Sequence, residues 1–147
     1  MIEVKILDDR LKPEMLVPST EGSAAIDLRA CTQANIYLQP NETFIVGTGL
    51  SFFIKDRDKA GIVLPRSGLG TKGLVVGNLV GLIDSDYQGE ISISLWNRSN
   101  SMITISPLDR VAQFMIIPVI HPEYKVVEAF EQQTKRGTGG HGSTGIS

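Results

Sequence analysis

The sequence predicts an all-β fold, arranged as a sandwich, a jelly roll or a barrel. Apolar and polar residues alternate with a period of two along much of the chain, which is typical of strands with one buried face. Glycine, proline and asparagine separate short apolar runs at close spacing, as in all-β domains. No window of about ten or more residues shows a helical apolar stripe, so we expect at most one short helix.

The predicted strands of the first half of the chain are bounded by prolines, glycines and a charged turn. Alternation in Ile2–Ile6 predicts a half-buried strand, and prolines 13 and 18 then break the chain into a loop. Gly47-Thr48-Gly49 is expected to interrupt a later strand, and Pro65 ends the last one. The remaining strands of this half are predicted at 24–28, 43–46, 50–54 and 60–64.

Residues 77–90 organise the second half of the chain. They lie between an apolar run and the alternating segment Ile91–Trp96, and they carry carboxylates, an aromatic ring and turn-forming residues. This order is typical of a β-hairpin with functional groups near its turn. Further strands are predicted at 102–105, 111–117 and 124–127, and the short helix at Leu69–Leu74, where nearby glycines weaken it.

Length and charge limit the classes of function. A chain of 147 residues can bury a core without disulfides or a structural metal, and we expect one β domain at 1–131. The single cysteine, Cys31, fits a reducing compartment, and the charged N-terminus is no signal peptide, so we expect a cytoplasmic protein. The net charge of −2 argues against stable binding to nucleic acid, and no apolar run is long enough to span a membrane.

Residues 132–147 are expected to form a flexible, glycine-rich C-terminal arm. A disordered tail explains the composition, because the segment up to Gly145 has five glycines and no core-forming residue. A phosphate clamp explains it equally well, because glycine-rich backbone can bind anions and Lys135 and Arg136 add positive charge. The segment is not a Walker A loop, since no lysine follows Gly142 and no helix can follow.

Other candidate groups have two interpretations each. Arg66 and Ser67 with their glycines can bind phosphate, although Ser-Gly after a strand is usually a turn. Asp84, Asp86 and Glu90 can bind a metal, act as a base or face water. Three more residues stay open between packing and function: Tyr87 as a platform for a sugar or base, Asn78 as a partner for a base edge, and Asp27 as an acid within an apolar strand.

Five ordered motifs together resemble the trimeric dUTPase family over nearly the whole chain. They are Ala-Ala-Ile-Asp-Leu (24–28), Pro-Arg-Ser-Gly-Leu-Gly (65–70), Gly-Asn-Leu-Val-Gly-Leu-Ile-Asp-Ser-Asp-Tyr-Gln-Gly (77–89), Asp-Arg-Val-Ala-Gln (109–113) and Arg-Gly-Thr-Gly-Gly-His-Gly-Ser-Thr-Gly (136–145). The resemblance implies a jelly-roll-like fold of the β-clip type and a homotrimer with shared active sites. It also implies hydrolysis of dUTP to dUMP and pyrophosphate with Mg²⁺, which keeps uracil out of DNA and supplies dUMP for thymidylate synthesis.

The resemblance also assigns roles to residues. Asp84 would orient the water that attacks the α-phosphorus, and Tyr87 would pack under the deoxyribose. Asp27 would bind magnesium through water. The uracil would be bound by Asn78 and by the hairpin backbone at Gly81, Leu82, Ile83 and Ser92. The phosphates would be bound by Arg66, Ser67, Gly68 and Gln113 and by Arg136, Gly142, Ser143 and Thr144 of an arm that closes over a neighbouring subunit's site.

One position departs from the family pattern, which usually has phenylalanine where this chain has His141. An imidazole can stack on uracil, but it is smaller and more polar, so we expect either equivalent stacking or weaker closure of the arm. Two other functions compete with the enzymatic one. A regulatory protein would bind dUTP without needing the carboxylate of Asp84, and a dCTP deaminase would need an acid beside the base.

Overall fold

Ten strands form three sheets in the computed structural model, which describes residues 1–140. The strands are β1 (Glu3–Ile6), β2 (Ile26–Arg29), β3 (Ile36–Leu38), β4 (Thr43–Phe53), β5 (Lys59–Pro65), β6 (Leu74–Val76), β7 (Gly81–Ile83), β8 (Glu90–Asn97), β9 (Ile103–Ile105) and β10 (Arg110–Pro118). Within the described residues, the helical elements are one short helix, α1 (Ser67–Thr71), and a 3₁₀ turn at Pro13–Leu16. The predicted all-β fold with one short helix is confirmed.

Two four-stranded antiparallel sheets enclose the core. One has the strand order β1-β4-β8-β6 and the other β2-β10-β5-β7, while β3 and β9 pair in a small third sheet. Phe52 of β4 stacks on Phe114 of β10 with ring centroids 4.5 Å apart, so the two large sheets meet face to face. This arrangement confirms the jelly-roll-like architecture.

Strand β8 shows why the alternating sequence specifies this packing. Its residues Ile91, Ile93 and Leu95 are 1%, 1% and 0% exposed, whereas Ser92 between them is exposed. Full burial of one such side chain contributes about 1.5–3 kcal/mol. A shift of the strand by one residue would turn all three away from the core, so the sequence fixes the register of β8.

A β-bulge replaces the predicted interruption at Gly47-Thr48-Gly49. β4 runs through these residues, but its pairing with β8 shifts between Gly47, which faces Ser92, and Ser51, which faces Glu90. Gly49 has a φ of +64°, a conformation that favours glycine. The sequence therefore marked the right position, and the structure shows a local distortion of one strand and not a break between two.

The predicted hairpin around residues 77–90 is wrong. β7 pairs with β5, and β8 pairs with β4 and β6, so the strands on either side of residues 84–89 belong to different sheets. The segment carries the chain from one sheet to the other. A local sequence pattern does not reveal this, because each strand finds its partner elsewhere in the chain.

Three further expectations need correction. The strand predicted at 124–127 does not form: the segment pairs with no strand of the described chain, and Val126 there is 98% exposed. The helix starts at Ser67 and not at Leu69, and β6 begins where the prediction ended it. β1 is present as predicted, although Val4 and Ile6 keep 38% and 37% of their surface exposed. Strand β3 was not predicted.

The chain beyond Pro118 contains neither helix nor strand up to residue 140, and nearly all of its residues are exposed. The boundary between a domain at 1–131 and an arm at 132–147 remains a prediction. No helix in the described part of the chain is long and apolar enough to cross a membrane.

Candidate active site

The first cleft, here called the Asp84 cleft, lies where the chain crosses from β7 to β8. It has a volume of about 210 Å³. Asp84 is exposed at the end of β7, and Tyr87 follows it by one turn, since the Tyr87 amide donates to the Asp84 carbonyl at 3.2 Å. The cleft is lined by Leu82, Ile83, Asp84, Tyr87, Glu90, Ile91 and Ser92.

The Tyr87 ring is folded back onto its own chain. Its hydroxyl donates to the main-chain carbonyl of Glu90 at 3.1 Å. The ring lies so close to Gly89 that a Cβ there would overlap the hydroxyl oxygen and the adjacent ring carbon. Gly89 is therefore required for this ring position, a constraint that the sequence analysis did not identify.

Strand β4 and the loop after it bind the segment that connects β7 to β8, residues 84–89, and the start of β8. Three hydrogen bonds reach it from this side: the Lys55 amide to the Ser85 carbonyl at 2.9 Å, the Ser51 hydroxyl to the Gln88 carbonyl at 2.7 Å, and the Thr48 hydroxyl to the Ile91 carbonyl at 2.7 Å. Thr48 is fully buried and Ser51 is 6% exposed. The segment that carries Asp84 and Tyr87 is thus fastened at both ends.

The second cleft, here called the Arg66 cleft, has a volume of about 550 Å³ and lies at the carboxyl end of β5. Arg66 precedes α1, and Ser67 and Gly68 form its exposed first residues. The lining brings together five predicted site residues, Asp27, Arg66, Ser67, Gly68 and Gln113, with Ser19, Ser23, Ala24, Ala25, Leu64 and Met115. Three of the five motifs therefore meet in one place.

Charge in the Arg66 cleft favours an anion. Asp27 is 18% exposed and pairs with Arg66 Nε at 2.7 Å and with Arg110 Nη1 at 3.2 Å. One carboxylate thus faces two guanidinium groups, which leaves an excess of positive charge. Gln113 donates to the Pro65 carbonyl at 2.9 Å, which fixes its amide at the edge of the cleft. Arg110 was not singled out from the sequence, although it lies within the motif at 109–113.

The residues of the Arg66 cleft could hold magnesium only together with a bound polyphosphate. No group of three or more His, Cys, Asp or Glu residues in the range 1–140 could hold a metal ion. Asp27 is the carboxylate that lines the Arg66 cleft, and both of its oxygens already pair with arginines. Mg²⁺ commonly keeps several waters and binds through one or two carboxylates plus substrate phosphates. The donor set therefore suits an ion that arrives with a polyphosphate.

The two clefts lie apart in one chain and share no lining residue. β7 and β5 are antiparallel, with Ile83 opposite Gly61. Asp84 lies one residue past Ile83, towards the start of β5, whereas Arg66 lies five residues past Gly61, beyond the end of β5. At about 3.3 Å per residue, the separation along the sheet is roughly 17–20 Å. A single chain therefore does not bring Asp84 beside Arg66.

Some predicted site residues line neither cleft. Gly81 belongs to β7, and Asn78 is exposed in the turn before it. Arg136 is exposed and donates to the Gly139 carbonyl at 3.0 Å. His141, Gly142, Ser143 and Thr144 lie outside the described residues, so their predicted roles are untested.

A polar cluster lies behind the β4 bulge. Arg10 donates to both carboxylate oxygens of Asp8, at 2.9 and 2.6 Å, which holds the pKa of Asp8 well below its usual range. Burial, followed by the negative charge of Asp8, raises the pKa of the Cys31 thiol to about 11. Cys31 is thus protonated at neutral pH and is a poor nucleophile.

Comparison with known proteins gives a consistent result. A model of the dUTPase family matches residues 12–145. A deoxyuridine 5'-triphosphate nucleotidohydrolase of Neisseria meningitidis is 52% identical over 146 residues, which cover 99% of this chain and 97% of the relative. The structure is similar to that of a variant dUTPase of Staphylococcus bacteriophage 80alpha with dUpNHpp, at 26% identity, 99% coverage of both chains and a TM-score of 0.84.

A second solved structure supports the fold alone. It is a variant dUTPase from phage phi11 of S. aureus, described with a structural Mg(II) ion. Its sequence is 23% identical, the match covers 90% of this chain and 99% of the phage chain, and the TM-score is 0.77.

Proposed function

Because the chain belongs to the dUTPase family, we propose that it hydrolyses dUTP to dUMP and pyrophosphate with a water molecule that Asp84 orients. Asp84 accepts a proton from this water as its oxygen attacks the α-phosphorus. The bond between the α-phosphorus and the bridging oxygen breaks, and pyrophosphate leaves. The exposed position of Asp84 at the rim of its cleft, one turn from Tyr87, is the observation that carries this proposal.

The backbone of β7 suits recognition of uracil. β7 is the last strand of its sheet, and no strand of the described chain pairs with its outer edge. Backbone groups point alternately to the two sides of an antiparallel strand, so one of the neighbours Leu82 and Ile83 can offer its N–H and C=O to the edge of a base, which has both a donor and acceptors. Ser92 on the opposite wall and Asn78 before β7 complete the contacts. Unpaired backbone groups penalise cytosine, because its edge has the wrong pattern of donors.

Tyr87 supplies the discrimination between deoxyribose and ribose. Its ring forms one wall of the Asp84 cleft and is fixed by its hydroxyl and by Gly89. A deoxyribose packs on the ring face, whereas a 2′-hydroxyl would meet the ring.

The Arg66 cleft binds the phosphates. Its lining offers the guanidinium group of Arg66, the hydroxyl of Ser67 and the side-chain amide of Gln113. Gly68 lets a phosphate approach the backbone closely. Magnesium, when bound, would neutralise phosphate charge, and Asp27 would hold it through its water shell. Arg136, His141, Gly142, Ser143 and Thr144 of the arm would add contacts to phosphates and base on closure, which excludes water.

The site is completed between copies of the chain, which we propose form a homotrimer. The separation of about 17–20 Å between Asp84 and Arg66 along the sheet supports this arrangement. A copy that presents its Asp84 cleft to the Arg66 cleft of a neighbour would surround one dUTP with both. In this arrangement the enzyme removes dUTP from the cytoplasm, keeps uracil out of DNA and supplies dUMP for thymidylate synthesis.

Pyrophosphate release tests this function. Wild-type protein with Mg²⁺ is expected to release pyrophosphate from dUTP and not from dTTP, dCTP or UTP. Asp84→Asn is expected to lower kcat by about 10²–10⁴-fold, because it removes a general base. Asp86→Asn is the matched control, since that neighbouring carboxylate is exposed and does not line the cleft. Tight binding of dUTP without release would instead indicate a regulatory protein.

A further inference from the structure

The β4 bulge leaves one backbone donor without a place in the sheet. Between the pairs Gly47–Ser92 and Ser51–Glu90, β4 has three residues and β8 has only Ile91. Gly49 is the middle one of the three, and its N–H cannot pair with a β8 carbonyl in register. A buried N–H without a partner is costly, so this donor must be satisfied by another group.

Glu90 provides that group. Its Oε1 accepts from the Gly49 amide at 2.8 Å. The carboxylate passes directly over Gly47, where a Cβ would lie 2.5 Å from Oε1. The side chain therefore folds back onto β4, and this bond commits one of its oxygens to the bulge.

The same residue contacts Tyr87 through its main chain. The Glu90 carbonyl accepts from the Tyr87 hydroxyl at 3.1 Å. Glu90 is thus bonded through its side chain to the bulge and through its backbone to the aromatic ring of the Asp84 cleft. Displacement of the carboxylate would release the start of β8 and, with it, the acceptor that holds the ring.

Neighbouring residues hold the β4 bulge in place. From the far side, the Leu7 amide donates to the Gly49 carbonyl at 2.7 Å, and the Cys31 amide donates to the Gly47 carbonyl at 2.9 Å. Asp8 and Cys31 pack so closely around Gly49 that a Cβ there would lie 2.8 Å from Asp8 Cβ and 2.9 Å from Cys31 Sγ. The bulge therefore cannot shift to follow a displaced Glu90.

We infer that Glu90 is a positioning residue that sets the Tyr87 ring and thereby the preference for deoxyribose over ribose. This inference rests on the proposed role of Tyr87 as the wall beneath the sugar. Glu90 touches neither the α-phosphorus nor the base in this assignment. This role differs from the three that the sequence left open for the Glu90 carboxylate, which were to bind a metal, to act as a base or to face water.

The test compares Glu90→Leu with Glu90→Gln. Leucine cannot accept the Gly49 N–H, whereas the side-chain carbonyl of glutamine can. The ratio of kcat/KM for dUTP to that for UTP is expected to fall about tenfold in Glu90→Leu, since one charge-assisted hydrogen bond is lost. Most of this ratio should survive in Glu90→Gln. The loss should lie in KM for dUTP more than in kcat, because Asp84 is unchanged.

One control and one further variant separate positioning from general destabilisation. Val46→Ala makes a cavity in the core on the same strand, where Val46 is 2% exposed, and leaves the Glu90 contacts in place. It should lower Tm without a change in the dUTP:UTP ratio. In Gly47→Ala the added Cβ would displace the Glu90 carboxylate from the bulge, so this variant should also lose selectivity for dUTP over UTP. It keeps the test valid if Glu90→Leu does not fold.

Each outcome decides the matter. An unchanged ratio in Glu90→Leu and Gly47→Ala, or an equal loss in Glu90→Gln and Glu90→Leu, overturns the inference. Tyr87→Ala is measured alongside. If the dUTP:UTP ratio of kcat/KM is unchanged in Tyr87→Ala, the proposed role of Tyr87 fails, and the Glu90 inference fails with it. If Tyr87→Ala loses selectivity while the Glu90 variants keep it, only the inference about Glu90 is wrong.

Discussion

Gly89 shows how a single residue without a side chain shapes the site. The Tyr87 ring occupies the space in which a Cβ at position 89 would lie. Gly89→Ala is therefore expected to push the ring out of the cleft and to raise KM for dUTP about tenfold, since packing under the sugar is lost. Steady-state kinetics of dUTP hydrolysis provide the measurement.

The control for that substitution is Gly22→Ala. No atom of residues 1–140 lies within 4 Å of the position that a Cβ of Gly22 would take, and its φ is not positive, so an alanine is accommodated there without a clash. Its KM should match that of the wild type. Equal KM values for Gly89→Ala and wild type would show that the Tyr87 ring does not contact the nucleotide.

Sequence reasoning at the residue scale predicted candidate functional groups but not the residues that hold them in place. Asp84, Tyr87 and Arg66 were singled out because a carboxylate, a ring and a guanidinium group stand out beside glycines, whereas Gln113 was proposed from the family resemblance alone. Thr48 was overlooked, because a buried threonine bonded to a distant carbonyl has no local signature. Such supports depend on which strands become neighbours, and a single sequence does not state this.

At the scale of elements, the segment after β1 is held by an ion pair. Asp8 bonds to Arg10, and Arg10 Nη1 donates to the Thr32 carbonyl at 2.7 Å, which ties residues 8–10 to the chain after β2. The pKa of Asp8 is depressed because Arg10 donates hydrogen bonds to its carboxylate. A depressed pKa in the folded state stabilises the fold above the unfolded value of about 3.9, and this stability is lost as pH falls below it.

The resulting prediction concerns acid stability. Wild-type protein should lose free energy of unfolding as pH falls below about 4, and part of this loss should disappear in Asp8→Asn, which cannot titrate. Urea unfolding of both proteins at a series of pH values measures the difference. Asp9→Asn is a suitable control, because Asp9 is exposed and its side chain makes no ion pair within residues 1–140. Parallel curves for Asp8→Asn and wild type would contradict the assignment.

Most elements followed from the alternation of apolar residues, and the failures have physical causes. β5, β8 and β10 were predicted well because their apolar runs end at prolines or polar turns. The hairpin at 77–90 was wrong because pairing between strands is a long-range property. The strand at 124–127 failed for a related reason, since a local pattern of apolar residues produces a strand only where the segment pairs with a sheet, and this segment pairs with none in the described chain.

At the scale of the whole molecule, the fold separates groups that the proposed reaction needs together. Motif order along the sequence does not indicate whether two motifs share a cleft. The structure divides them, with Asp84 and Tyr87 in one cleft and Asp27, Arg66 and Gln113 in the other. Oligomerisation was predicted from the resemblance alone, and the separation of the two clefts supports the proposal that copies of the chain share a site.

Mixing two inactive variants tests whether the site is shared between copies. Asp84→Asn lacks the carboxylate proposed to orient water, and Arg66→Ala lacks a proposed phosphate ligand, so each protein alone should be nearly inactive. After joint unfolding and refolding in equal amounts, mixed trimers would contain sites with Asp84 from one copy and Arg66 from another. Random assembly makes about a quarter of the sites intact, so about a quarter of wild-type activity should return. A site within one chain can never become intact in this mixture, so activity that stays at the level of the separate variants would place Asp84 and Arg66 of the same copy around one dUTP.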